Sequence, residues 1–149
     1  MTHLSDDFRD FLEALNGRQV RYLVAGAFAL AAHGHPRYTK DLDIWLEISV
    51  DNAQRLVAAL RDFGFSSLGL TEQDFLTENI VVQLGYEPNR IDLLTSLDGV
   101  TFSEAYPRRV MLSLAGYSAP VLDIETLKTN KRATGRLRDL ADIEELGDS

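Results

Sequence analysis

Residues 41–48 read Asp-Leu-Asp-Ile-Trp-Leu-Glu-Ile, a strict alternation along the chain. Successive side chains of a β-strand point to opposite faces, so Leu42, Ile44, Leu46 and Ile48 share one face and Asp41, Asp43, Trp45 and Glu47 the other. The segment is therefore a strand with one face committed to a core. On its second face two carboxylates stand only about 7 Å apart along the backbone. Charges of one sign held that close require a cation, a shared proton or a lean into solvent.

The chain has no cysteine, which excludes disulfides, thiolate metal sites and thiol nucleophiles together. A cation at Asp41 and Asp43 would sit on carboxylate oxygen, the donor of hard divalent ions such as magnesium or manganese. Asp92 is the candidate third ligand. It stands in Arg90-Ile91-Asp92-Leu93-Leu94, a strand whose Ile91 and Leu93 face the core, where an acid is costly without a partner or a metal. Two other readings stay open. Asp41 and Asp43 could be solvated acids of an edge strand, and Asp92 could form a buried ion pair with Arg90 or a helix residue.

Helix and strand signals alternate along the rest of the chain. They predict a single α/β (α+β) domain over residues 1–149: a small mixed sheet with the aspartates on one side, helices packed on the other, and a helical C-terminus. Leu4, Phe8, Phe11, Leu12 and Leu15 recur at helical spacing up to Gly17. Residues 20–24, Val-Arg-Tyr-Leu-Val, rich in β-branched and aromatic side chains, enter Ala25-Gly26-Ala27 as strand, tight turn and helix, ending at His33-Gly34-His35-Pro36. A helix is expected over 51–63, a loop with a short helical turn over 66–75, and strands over 79–85 and 90–95 around Tyr86-Glu87-Pro88-Asn89. A short helix over 101–107, strands over 110–114 and 119–122, and a helix over 124–134 follow. After a break near Gly135 a last helix carries Leu137, Leu140, Ile143 and Leu146 on one face.

The run Val24-Ala25-Gly26-Ala27, then Asp41-Leu42-Asp43, then Ile91-Asp92-Leu93 resembles the motif series of nucleotidyltransferases of the DNA polymerase beta superfamily. In that family a glycine opens a helix, an Asp-x-Asp strand follows, and a third aspartate lies in a later hydrophobic strand. Residues 38–44, Tyr-Thr-Lys-Asp-Leu-Asp-Ile, are similar to the corresponding run of small bacterial members often encoded in toxin–antitoxin modules. The tail 127–139 also resembles that group's C-terminal helical segment. The resemblance implies two magnesium or manganese ions on Asp41, Asp43 and Asp92, which are then both catalytic and metal-binding residues. It further implies transfer of a nucleotidyl group from a nucleoside triphosphate such as ATP to a hydroxyl acceptor (protein, RNA or small molecule), with release of pyrophosphate.

Gly26 suits the approach of phosphates to bare backbone, and the Ala27 N–H can meet a phosphate at the helix start. The family usually carries Ser or Gly where this chain has Ala27, so a serine hydroxyl contact is missing. A catalytically weak binding module, antitoxin-like or nucleotide-binding, is the alternative that this departure supports. The negative charge of a triphosphate and three aspartates exceeds that of two divalent ions, so basic side chains must help. Lys128 and Lys131 are the first candidates, on one helix face with Arg132, and Lys40 and Arg37 lie nearer the acidic strand. The same basic run could instead be a solvated helix face paired with Asp139, Asp142, Glu144 and Glu145. Trp45 could flank a nucleotide or pack under a loop, and His33 and His35 could bind substrate or sit in a solvated turn.

A formal charge of −8 opposes coating of nucleic acid by the whole surface. Neither a basic-then-apolar start nor about 18 uninterrupted apolar residues occurs, so no membrane partner and a cytoplasmic location are expected. A second copy or a partner chain could complete the acceptor cleft.

Overall fold

The alternating segment forms β2 (Asp41–Leu46), an interior strand of a six-stranded mixed sheet. The computed structural model describes residues 6–35, 41–65, 68–85, 90–114 and 116–147. The other strands are β1 (Tyr22–Ala25), β3 (Val81–Leu84), β4 (Arg90–Leu94), β5 (Val110–Leu114) and β6 (Tyr117–Val121), in the order β3-β4-β2-β1-β6-β5. β2 runs antiparallel to β1 and parallel to β4, while β3–β4 and β5–β6 are antiparallel pairs. The helices are α1 (Asp6–Gly17), α2 (Gly26–Ala32), α3 (Val50–Phe63), α4 (Phe102–Ala105), α5 (Ile124–Thr134) and α6 (Leu137–Glu145). No described helix is long and apolar enough to cross a membrane.

The aliphatic face of β2 behaves as its alternation requires. Leu42, Ile44 and Leu46 are fully buried in one apolar cluster with Phe8, Phe11, Leu12 and Leu15 of α1 and Leu56 and Leu60 of α3. α1 and α3 pack together, with the Phe11 and Phe63 rings edge to face at 5.2 Å. Such burial of aliphatic and aromatic side chains contributes roughly 1.5–3 kcal/mol each.

The aspartate face is not left bare. Trp45 lies on it and is buried, its ring edge-on to Phe102 of α4 at 5.2 Å. It therefore packs beneath the segment that follows β4, and helical structure covers this face beyond the carboxylates as well as the opposite one. His33 is also structural: its Nε2 donates to the Leu122 carbonyl at 2.7 Å, tying the end of α2 to the end of β6.

Boundary differences have local causes. β6 extends over Tyr117–Val121 with Pro120 inside it, because its long partnership is with β5. Toward β1 the pairing starts only at Val24–Val121, with Leu122 N–H donating to Val24 O. Two residues back along the strand, the N–H on that side would belong to Pro120, which has none. The turn within 66–75 is a 3-10 helix, Glu72–Phe75, held by Asp74 accepting from the Thr71 N–H at 2.7 Å. The connection 86–89 and the N-terminal residues Leu4 and Ser5 lie outside the described residues.

One buried polar side chain joins three elements. Asn52, in the first turn of α3, accepts from the Arg21 N–H at 2.7 Å and donates to the carbonyls of Arg21 and Glu47 at 3.0 and 2.9 Å. It thereby fastens α3 to the start of β1 and the end of β2. Because its removal leaves buried backbone groups without partners, Asn52→Ala is expected to lower the unfolding free energy by roughly 2–4 kcal/mol in urea titrations. A loss under about 0.5 kcal/mol would show that water replaces the amide freely.

Candidate active site

Parallel pairing of β2 with β4 sets the site. The register places Asp43 level with Asp92 and Asp41 level with Arg90. Period-two geometry then puts Asp41, Asp43, Arg90 and Asp92 on one face, so Asp92 joins the two acids of β2. Gly26 stands beside them, since Ala25 pairs with Asp43 across β1 and β2 and Gly26 opens α2. A Cβ built on Gly26 would run into the Asp43 carboxylate, and Gly26 has a φ of +64°. Glycine is therefore demanded here by Asp43 itself, and its left-handed backbone adds a second reason. Ala27 follows at the second position of α2, partly buried.

Arg90 is the residue that sequence reading undervalued, as it entered only as one candidate partner of Asp92. Its Nη2 donates to Asp41 Oδ2 at 2.9 Å, and its Nε and Nη2 donate to the two oxygens of Asp92 at 3.1 and 3.2 Å. The available signal was the two-residue spacing of Arg90 and Asp92, which shares a strand face. The ion pair weighed for Asp92 is thus present, and Asp41 belongs to it.

Lys131 and Lys128 are buried, at 8% and 6% exposure, so this part of α5 is not a solvated face. The Lys131 ammonium pairs at 2.9 Å with Asp142, a buried carboxylate of α6 across the left-handed turn at Gly135. That partner comes from helix packing, since Asp142 is too far along the chain for an intrahelical pair. The Lys131 charge is also felt at Asp43, where it favours the ionised carboxylate. Lys128 Nζ lies 3.6 Å from Glu125, one turn earlier on α5. Lys40 and Arg37 lie outside the described residues.

Burial pushes the Asp43 carboxyl up to about 7, with Asp92 and Asp41 acting in the same direction and Arg90 and Lys131 against it. The site is short of positive charge despite Arg90. Its carboxylate donors fit a hard divalent cation in type and in shared face. Among the described residues, however, no three such side chains already stand as a finished metal cage. Arg90 instead holds Asp41 Oδ2 and both oxygens of Asp92.

The aspartates do not line either of two larger cavities. One, of about 1010 Å³, lies on the opposite sheet face beside Asp10, Phe63, Leu84 and Ile91. The other, of about 690 Å³, lies beyond the carboxyl ends of β2 and β4 beside Trp45, Glu47, Thr95 and Phe102.

No protein-family description matches the chain. No curated protein matches its sequence. Among solved structures, the chain is similar to a "putative nucleotidyltransferase" of Thermotoga maritima, with a TM-score of 0.60 and 14% identity over 92% of this chain and 88% of that one. The fold is that of the nucleotidyltransferases. At this identity the likeness concerns fold alone, and the chemistry must be argued from the side chains.

Two outcomes follow from the crowding at Asp43. Gly26→Ala is expected to cost roughly 1–3 kcal/mol by chemical denaturation, and Asp43→Ala in the same chain to recover part of that cost. Purely additive effects would show that the contact is not shared. The second concerns pH. Unfolded aspartate titrates near ~3.9, so between about pH 4 and the folded value of about 7 the folded chain holds a proton that the unfolded chain has lost. Stability of the metal-free protein must fall as pH rises through that window, by up to a few kcal/mol. Denaturation in chelator from about pH 5 to about pH 7.5 checks this: Asp43→Asn should flatten the decline. Parallel slopes in the two proteins would assign it to other groups.

Proposed function

We propose that this protein is a metal-dependent nucleotidyltransferase, moving a nucleoside monophosphate from a nucleoside triphosphate to a hydroxyl acceptor and releasing pyrophosphate. The observation that carries this reading is the level pairing of Asp43 with Asp92 across parallel strands, with Asp41 on the same face and Gly26 packed on Asp43. Magnesium or manganese bound to Asp41, Asp43 and Asp92 would supply positive charge for the attacking and leaving oxygens of an in-line displacement at phosphorus.

The chain's own groups account for the other requirements. Rigid strands hold the three carboxylates, so the site needs no loop to assemble its acidic side. Gly26 leaves backbone uncovered next to them, where a triphosphate could approach. Lys131 contributes a buried positive charge that Asp142 orients. We assign Asp92 to the acceptor side, next to the hydroxyl that attacks the α-phosphorus; the hydroxyl's proton passes to the Asp92 carboxylate as the new P–O bond forms, and pyrophosphate leaves with the electron pair of the bond that breaks.

A second reading, nucleotide binding without transfer, is favoured by Ala27, which offers no hydroxyl at the start of α2. One experiment separates the two. The protein is incubated with each labelled triphosphate, magnesium or manganese, total RNA and candidate protein acceptors. Label is expected to move to one acceptor class, and Asp43→Asn or Asp92→Asn to reduce transfer by about 100-fold or more. Transfer that survives both substitutions overturns the site. Saturable triphosphate binding with no transfer to any acceptor supports the second reading.

A further inference from the structure

We infer that Arg90 is the resident counter-cation of the aspartate cluster and that a divalent ion enters by exchange with its guanidinium. The inference rests on the reading of Asp41, Asp43 and Asp92 as metal ligands. One guanidinium bridges carboxylates from two strands, two-pronged on Asp92 and single on Asp41, at 2.9 to 3.2 Å. The Asp92 side chain is only 11% exposed and that of Arg90 28%, so water screens these contacts less than it would a surface pair.

The exchange follows from charge and geometry. A divalent ion at coordination distance from Asp41 Oδ2 and the Asp92 oxygens would lie close to the guanidinium that donates to them, and the two cations would repel strongly in a partly buried site. An arginine cannot step aside by losing its proton. It has to move. The aspartates are fixed on interior strands, whereas Arg90 is the first residue of β4 and carries a long, rotatable side chain. Once displaced, its planar fork matches a phosphate group as well as it matched a carboxylate. A metal-bound triphosphate would therefore bring both the replacement cation and a new partner for Arg90.

This predicts that Arg90 opposes binding of metal alone and supports binding of metal with triphosphate. Calorimetric titration with Mn²⁺ at constant ionic strength tests it in the wild type, Arg90→Gln and Arg61→Gln. Arg61 is exposed on α3, so its substitution makes the same change in net charge away from the aspartates. Arg90→Gln is expected to bind Mn²⁺ about tenfold more tightly than wild type, a difference of about 1.4 kcal/mol, with Arg61→Gln unchanged within about twofold. In chelator Arg90→Gln should melt below wild type, and Mn²⁺ should raise its melting temperature by the larger increment. Prior saturation with a non-hydrolysable triphosphate should increase Mn²⁺ affinity more in wild type than in Arg90→Gln.

Equal or weaker Mn²⁺ binding by Arg90→Gln overturns the exchange while leaving the metal site standing. Absence of Mn²⁺ binding in wild type and Arg90→Gln alike overturns the metal site and the exchange with it. Should Arg90→Gln fail to fold, Arg90→Lys decides: a point charge cannot hold both carboxylates, so a smaller gain in affinity is expected, and no gain overturns the proposal.

Discussion

Two adjacent parallel strands hold three carboxylates on one face, and the neighbouring structure answers that concentration of negative charge. With Asp43 level with Asp92 and Asp41 one pleat away, repulsion is built into the register of β2 and β4. Several responses act together. Arg90 bridges two of the acids, Lys131 adds a buried positive charge, and the Asp43 carboxyl retains its proton to about 7. Gly26 belongs to the same set, because any side chain there would enter the Asp43 carboxylate.

That arrangement needs a rigid foundation. The aliphatic side of β2 is locked into the cluster shared with α1 and α3, while Trp45 and Phe102 close the aspartate face beyond the acids. Asn52 fastens α3 to the backbone at the far ends of β1 and β2. Sliding β2 by one residue would turn Leu42, Ile44 and Leu46 out of the core. The packing that stabilises the sheet therefore also fixes the direction of the carboxylates.

Lys131 shows how charge pairing depends on the third dimension. The residues three and four away from it are Leu127, Lys128, Thr134 and Gly135, none acidic, and its partner is Asp142 of the next helix, brought in by the reversal at Gly135. Burial changes the meaning of that pair. A buried ammonium with a buried carboxylate is far more sensitive to loss of either partner than an exposed helix pair would be.

Local periodicity made much of this legible in the chain itself. Alternation over 41–48 determined which face of β2 carries Asp41 and Asp43, because side-chain direction in a strand follows from the backbone alone. The same rule put Asp92 opposite Ile91 and Leu93, and glycine at position 26 marked the strand-to-helix turn. Adjacency could not be read that way. Nothing in the spacing says that β4 lies beside β2 in parallel, that Arg90 spans two strands or that Trp45 meets Phe102, and only packing singles out Asp142 among the four acids weighed as partners of the basic run. Those relations join residues distant in sequence, and they exist only because the whole core packs in one register. The sequence by itself determined the acids and the face they share; tertiary structure decided which charges they meet.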